Sequence, residues 1–81
     1  MSEQIRASNV NMPRLSQGTQ GEAVTFLQLL LVNFHGYSIT VDGVFGPRTE
    51  NAVKDFQNSR EFVNDPPGTV GYQTWEALAN R

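Results

Sequence analysis

A turn framed by two glycines and running into an amphipathic stretch occurs twice in this chain, and that unit constrains the fold more than any other feature. Asp42-Gly43-Val44-Phe45-Gly46-Pro47-Arg48-Thr49 leads into Glu50-Asn51-Ala52-Val53-Lys54-Asp55-Phe56-Gln57. Gly68-Thr69-Val70-Gly71-Tyr72-Gln73-Thr74 leads into Trp75-Glu76-Ala77-Leu78. Both read Gly-x-(apolar)-Gly-x-x-Thr. Glycines three apart suit a tight turn in which a side chain would obstruct the backbone. The apolar residue between them, Phe45 or Val70, can then plug a core, and the two sites should be equivalent. The residues after each turn have helical spacing, so each copy reads as a turn that launches a helix.

A third, partial copy comes earlier. Gly18-Thr19-Gln20-Gly21-Glu22-Ala23-Val24 has the same glycine spacing and continues into Phe26-Leu27-Gln28. Leu27-Gln28 and Phe56-Gln57 match as an apolar residue followed by Gln, each three beyond a valine. The chain is thus a degenerate tandem of loop-helix units. Thr19-x-x-Glu22 reads as a capping box that starts a first helix over about residues 20–34. Val24, Leu27, Leu31 and Phe34 share its inner face, with Leu30 beside them. Gly36 suits the left-handed position after that helix. Residues 37–41 read as a short extended stretch, and Pro47 suits the first position of a second helix ending near residue 59 or 60. Phe62 and Val63 are expected to pack inward. A third helix spans residues 72–79, with Trp75 and Leu78 facing in.

Length and composition narrow the rest. Eighty-one residues make one domain, which cannot bury a large core. There are no cysteines, so stability must come from packing and loop chemistry rather than disulfides or thiolate-bound metal. The net charge is -2 and the six basic residues are scattered, which argues against a nucleic-acid face. No apolar run reaches membrane-spanning length. Residues 1–13 are polar and read as a flexible arm or linker without the apolar centre of a signal peptide; residues 14–81 form the domain.

The combination Gly-Thr-Gln-Gly-Glu-Ala-Val, then Asp-Gly-Val-Phe-Gly-Pro-Arg-Thr-Glu-Asn-Ala-Val with Phe-Gln, then Gly-x-Val-Gly with Thr-Trp-x-x-Leu resembles the peptidoglycan-binding domain type 1 family. The resemblance runs from Leu15 to Leu78. It implies an all-α fold, a closed three-helix bundle built from the loop-helix repeats. It further implies non-catalytic binding of bacterial cell-wall peptidoglycan, with a wall hydrolase attached or associated, and a location in the cell wall or periplasm. A similar fold serves as the propeptide of matrix metalloproteases, so a protein-interaction or inhibitory module is the alternative, and a small wall hydrolase a further one. Such a propeptide needs a cysteine to block zinc, and this chain has none. The sequence departs from the family pattern at Asn64-Asp65-Pro66-Pro67-Gly68, where two prolines stand between the acid and the glycine. That loop is longer and stiffer than the direct Asp42-Gly43 turn.

No catalytic constellation stands out. His35 is the only histidine and lies beside Gly36 at a helix end, so it reads as solvent-facing; it cannot by itself form a zinc site. No serine sits on a nucleophile turn. The eight acids include Glu22, assigned to capping, and Glu50, Asp55 and Glu76, which fall on outer helix faces. No cofactor is expected, and the domain is expected to be a monomer. Gln28 and Gln57 suit clamping of loop backbone, because an amide donates and accepts at once. Thr49 and Thr74 suit capping or loop bonding, and Asp42 can hold its turn through backbone N–H groups. For ligand binding, Tyr37, Asp42, Arg48, Tyr72 and Gln73 lie on or beside the two glycine turns. Tyrosine faces can lie against sugar rings, and an Arg fork pairs with a peptide carboxylate. If equivalent turns sit close together, these five residues border one concavity.

Overall fold

The computed structural model describes residues 12–80. It contains three helices: α1 (Glu22–Asn33), α2 (Pro47–Asn58) and α3 (Tyr72–Leu78). Among the described residues the β content is two isolated antiparallel bridges, Leu15 with Val70 and Gln20 with Val44. Most of the expected N-terminal arm, residues 1–11, lies outside the described residues. Met12 packs against the core, and the Pro13 carbonyl accepts a 2.7 Å hydrogen bond from the Trp75 indole.

The glycine units explain where every helix begins. Gly21, Gly46 and Gly71, each the second glycine of its unit, occupy the N-cap positions of α1, α2 and α3. The first glycines, Gly18, Gly43 and Gly68, are evenly spaced and all adopt positive φ, at 101°, 76° and 83°. The third copy is therefore complete in its turn geometry. At Gly43 a second demand applies: an added Cβ would stand 2.9 Å from the Thr25 hydroxyl. The turn must pass this close because it rests on the start of α1.

The capping box does not form. α1 starts at Glu22, later than expected, and its Gly21 N-cap receives no side-chain hydrogen bond. Thr19 is instead committed to the turn, where its carbonyl accepts from the Phe45 amide at 2.9 Å and its amide donates to Ser16 at 3.0 Å. Backbone pairing with the second turn won over local capping. The Gly18 amide donates to Phe45 and the Gly21 amide to Gly43, both at 2.9 Å, so turn one lies antiparallel along turn two.

Phe45 and Val70 are both completely buried. They join Leu15, Val24, Leu27, Leu31, Val53, Phe56, Trp75 and Leu78 in one core. Phe34 is a correction: it is 38% exposed rather than part of the inner face. Its neighbour His35 takes the place against the core, edge-on to Phe56 with ring centroids 4.7 Å apart. His35, expected to face solvent, is instead half-buried with its ring engaged by Phe56 and the Leu78 carbonyl. Its Nε2 lies 2.9 Å from the Leu78 carbonyl, which can only accept, so that nitrogen carries the proton. Nδ1 is then open to Arg60, 3.4 Å away. One histidine thereby joins the ends of all three helices. Gly36, at φ 77°, reverses the chain after α1, and the Gly36 and Tyr37 amides donate to Val32 and Leu31.

Phe62 also departs from the expected inward packing: its side chain is 84% exposed, while Val63 is half-buried. The Asn64 amide is fixed by the Gln73 side chain at 2.6 Å, and Asp65 is fixed on α3. With the chain held there and Val63 turned toward the protein, the preceding side chain points out.

Candidate binding site

Two glutamines build the ground on which the candidate residues stand. Gln28, fully buried on α1, accepts through Oε1 from the amides of Asp42 (3.0 Å) and Gly43 (2.9 Å). Its Nε2 donates to Asp42 Oδ1 (3.1 Å), the Val44 carbonyl (3.0 Å) and Thr49 Oγ1 (3.0 Å). Gln57 on α2 repeats the arrangement around the third turn. Its Oε1 accepts from the Gly68 amide (2.9 Å), and its Nε2 donates to the Thr69 carbonyl (2.8 Å) and Thr74 Oγ1 (3.1 Å). Each helix therefore grips the turn that begins the next one. The equivalent threonines, buried in the first turns of α2 and α3, are the far anchors of the two grips. No buried side-chain nitrogen or oxygen is left without a partner among the described residues.

The acids diverge where the sequences diverge. Asp42 closes its own turn, its Oδ1 accepting from the Val44 amide at 3.0 Å. That bond and the Gln28 amide hold its carboxyl below the ordinary carboxylate range. Asp65, displaced by Pro66 and Pro67, has a role that its sequence position did not suggest. Its Oδ2 accepts from the Gly71 amide (3.1 Å), the Thr74 amide (2.7 Å) and the Thr74 hydroxyl (2.7 Å). It caps α3 from outside, supplying the oxygen that a glycine N-cap lacks. The available signal was an acid upstream of a helix whose own N-cap has no side chain.

Around α2 the structure brings together three of the five candidates. Asp42 and Arg48 line a 240 Å³ cleft with Thr40, Val44 and Pro47. Tyr37 and Arg48 line an adjoining 290 Å³ cleft with Ile39, Asn51 and Asp55. Arg48 thus stands between the two, exposed, and makes no hydrogen bond or ion pair among the described residues. Tyr37 is half-buried and donates to Asp55 Oδ2 at 2.7 Å. Tyr72, 59% exposed, and Gln73 open α3 and line neither cleft. Gln73 is engaged by the Asn64 amide. The five candidates therefore fall into two groups, one at the start of each later helix.

Burial, and then the Asp55 carboxylate, push the Tyr37 phenol up from its ordinary 10.0 to about 12. The folded value lies above the unfolded one. The stability linked to this proton is therefore complete below pH 10 and disappears as the pH rises to about 12. Urea midpoints measured across that window should fall less steeply for Tyr37→Phe than for the parent. Identical slopes would show that the phenol is not held by this environment.

Residues that hold a turn are consumed internally, and the clefts beside α2 are open and shallow. Among the described residues there is no group of three or more His, Cys, Asp or Glu able to hold a metal ion. None of the described helices is long and apolar enough to cross a membrane. Three short helices, each launched from a glycine turn, with the second and third turns locked by the preceding helix's glutamine, define a small modular domain. Residues 20–78 match a family described as "Putative peptidoglycan binding domain", and the chain belongs to that family.

Similar proteins include longer chains and one of about the same length. An uncharacterized protein in the bpoA1 3′ region of Kitasatospora aureofaciens is 45% identical over 67 residues, 82% of this chain and 55% of the relative. The chain thus spans about half the length of that relative. The crystal structure of the Burkholderia AP3 phage endolysin superposes with a TM-score of 0.75 and 32% identity, over 84% of this chain and 25% of that one. The SleB N-terminal domain gives 0.72 and 34% identity, over 84% of this chain and 90% of that one.

Proposed function

We propose that this domain binds bacterial peptidoglycan without cleaving it and holds an attached or associated wall hydrolase at its substrate. The observation that carries the reading is the family match across residues 20–78. The endolysin supports the hydrolase partner, because the matched portion is only 25% of that chain. Asp42 and Asp65 are occupied with backbone amides, which leaves them poorly placed for acid–base work. Weak binding suffices in this role, since tethering turns modest affinity into high local concentration of the enzyme.

Arg48 is the leading contact residue, because its guanidinium has no structural partner among the described residues and both clefts beside α2 open onto it. It suits a carboxylate of a wall peptide, with Tyr37 and Asp42 on either side. Tyr72 and Gln73 form a second contact at α3. Purified domain should sediment with insoluble peptidoglycan and release no soluble fragments. Arg48→Ala and Tyr72→Ala should each reduce the sedimented fraction several-fold while melting at the parent temperature. Clearing of wall by the domain alone would overturn the non-catalytic reading. Parent-like sedimentation of both variants would move the contact surface elsewhere.

A further inference from the structure

Phe62, 84% exposed, is the barest of the large apolar side chains among the described residues. Its ring borders a 500 Å³ cleft shared with Arg60, Glu76, Ala77 and Asn80. The cleft shares no lining residue with the two clefts beside α2. We propose that it is a further binding site, separate from the Arg48 and Tyr72 contacts and specific for the N-acetylhexosamine units of a glycan strand, with the Phe62 ring as its stacking platform. This inference rests on the wall-binding reading.

Four features select an uncharged sugar. The lining carries one cation and one anion, Arg60 and Glu76, so it offers no net charge to an anionic or cationic peptide. Arg60 and Asn80 donate, and Glu76 and Asn80 accept, which matches hydroxyl and acetamido groups that need both. The aromatic has no hydroxyl, so it contributes ring face alone, the surface against which the C–H side of a pyranose lies. The volume falls within the roughly 300–1,000 Å³ range of small-ligand clefts and suits one or two rings.

The polar side of the cleft is already set. The Arg60 guanidinium lies 4.7 Å above the Phe56 ring, and its two terminal nitrogens lie 3.4 Å from Ser59 Oγ and His35 Nδ1. Asn80 is held by a 2.8 Å bond from its Nδ2 to the Glu76 carbonyl. Groups fixed before binding lose little freedom on contact. Sites at α2 and beneath Phe62 would let one small domain engage stem peptide and glycan together, each reinforcing the other.

The test titrates labelled domain with a tetramer of N-acetylglucosamine, followed by NMR, alongside wall sedimentation. The parent, Phe62→Ala and Phe62→Trp are compared; an exposed side chain can be changed without loss of fold, which melting temperatures check. The expected result is saccharide-induced shifts at Phe62, Glu76, Ala77 and Asn80. Phe62→Ala should bind saccharide and wall at least about fivefold more weakly, and Phe62→Trp should bind as the parent does or better. Absence of shifts in the parent, or parent-like saccharide binding by Phe62→Ala, overturns the inference. Loss of self-association in Phe62→Ala with saccharide binding intact also overturns it, in favour of a protein contact. Equal wall sedimentation by parent and Phe62→Ala, without saccharide shifts, leaves the wall-binding reading standing and removes only this site. Failure of the parent to sediment, with Phe62-dependent saccharide shifts, overturns that reading and upholds the site.

Discussion

Phe45→Ala is expected to destabilise the domain by about 3–5 kcal/mol, because a fully buried aromatic ring is removed from the centre of the core. A domain of this length has a total stability of roughly 4–12 kcal/mol on the usual per-residue scale. The substitution should therefore remove roughly a quarter or more of that margin, and nearly all of it at the low end of the range. The cavity cannot easily collapse. The backbone on either side of Phe45 is pinned by its own bonds to Thr19 and Gly18, and the turn is gripped by Gln28. Equilibrium urea unfolding followed by far-ultraviolet circular dichroism measures the loss. A change under about 1 kcal/mol would show that Phe45 does not plug the core.

Gln28→Ala is expected to cost about 3 kcal/mol, which is large for a polar substitution. One side chain contacts five polar groups of the second turn and Thr49, its two N–H hydrogens shared among three acceptors. Truncation leaves the amide of buried Gly43 without an acceptor, and each buried polar group abandoned in this way costs about 1–3 kcal/mol. Gln57→Ala should lose a similar amount, since its bonds to Gly68, Thr69 and Thr74 repeat the pattern. The same unfolding experiment on both variants decides the point. If either variant retains parent stability, the grips are ornamental and the glycine turns stand unaided.

The repeat made the architecture readable because each signal had one physical solution. Paired glycines, an apolar residue between them and a following threonine fixed Phe45, Val70, Thr49 and Thr74 without knowledge of the rest of the chain. The glutamines were readable for the same reason, since an amide beside a core position has few other uses. Errors arose where a local signal competed with a distant one. Thr19 and Glu22 have capping-box spacing, yet backbone pairing with the second turn claims Thr19. Phe34 has core periodicity, but His35 takes the space against Phe56. Phe62 reads as core by hydropathy, while anchors at Asn64 and Asp65 turn it outward. The capping role of Asp65 was hidden by the two prolines that separate it from its glycine. The candidate contacts were legible only as residues near turns. Which of them share a cleft depends on how the turns are arranged in space, and that separates Tyr37, Asp42 and Arg48 from Tyr72 and Gln73.

The three turns are laced into a circuit. Turn one runs along turn two, α1 holds turn two, and α2 holds turn three. Leu15 and Val70 exchange both backbone bonds, at 3.0 and 2.7 Å, while Trp75 reaches back to Pro13. The segment that enters the domain is thus buckled to the one that completes it. This lacing is expected to make the units open together, so that a pull on the mooring meets one latch rather than a row of hinges giving way in turn. For a part whose proposed task is to hold fast, that is a mechanical property set by where the glycines fall.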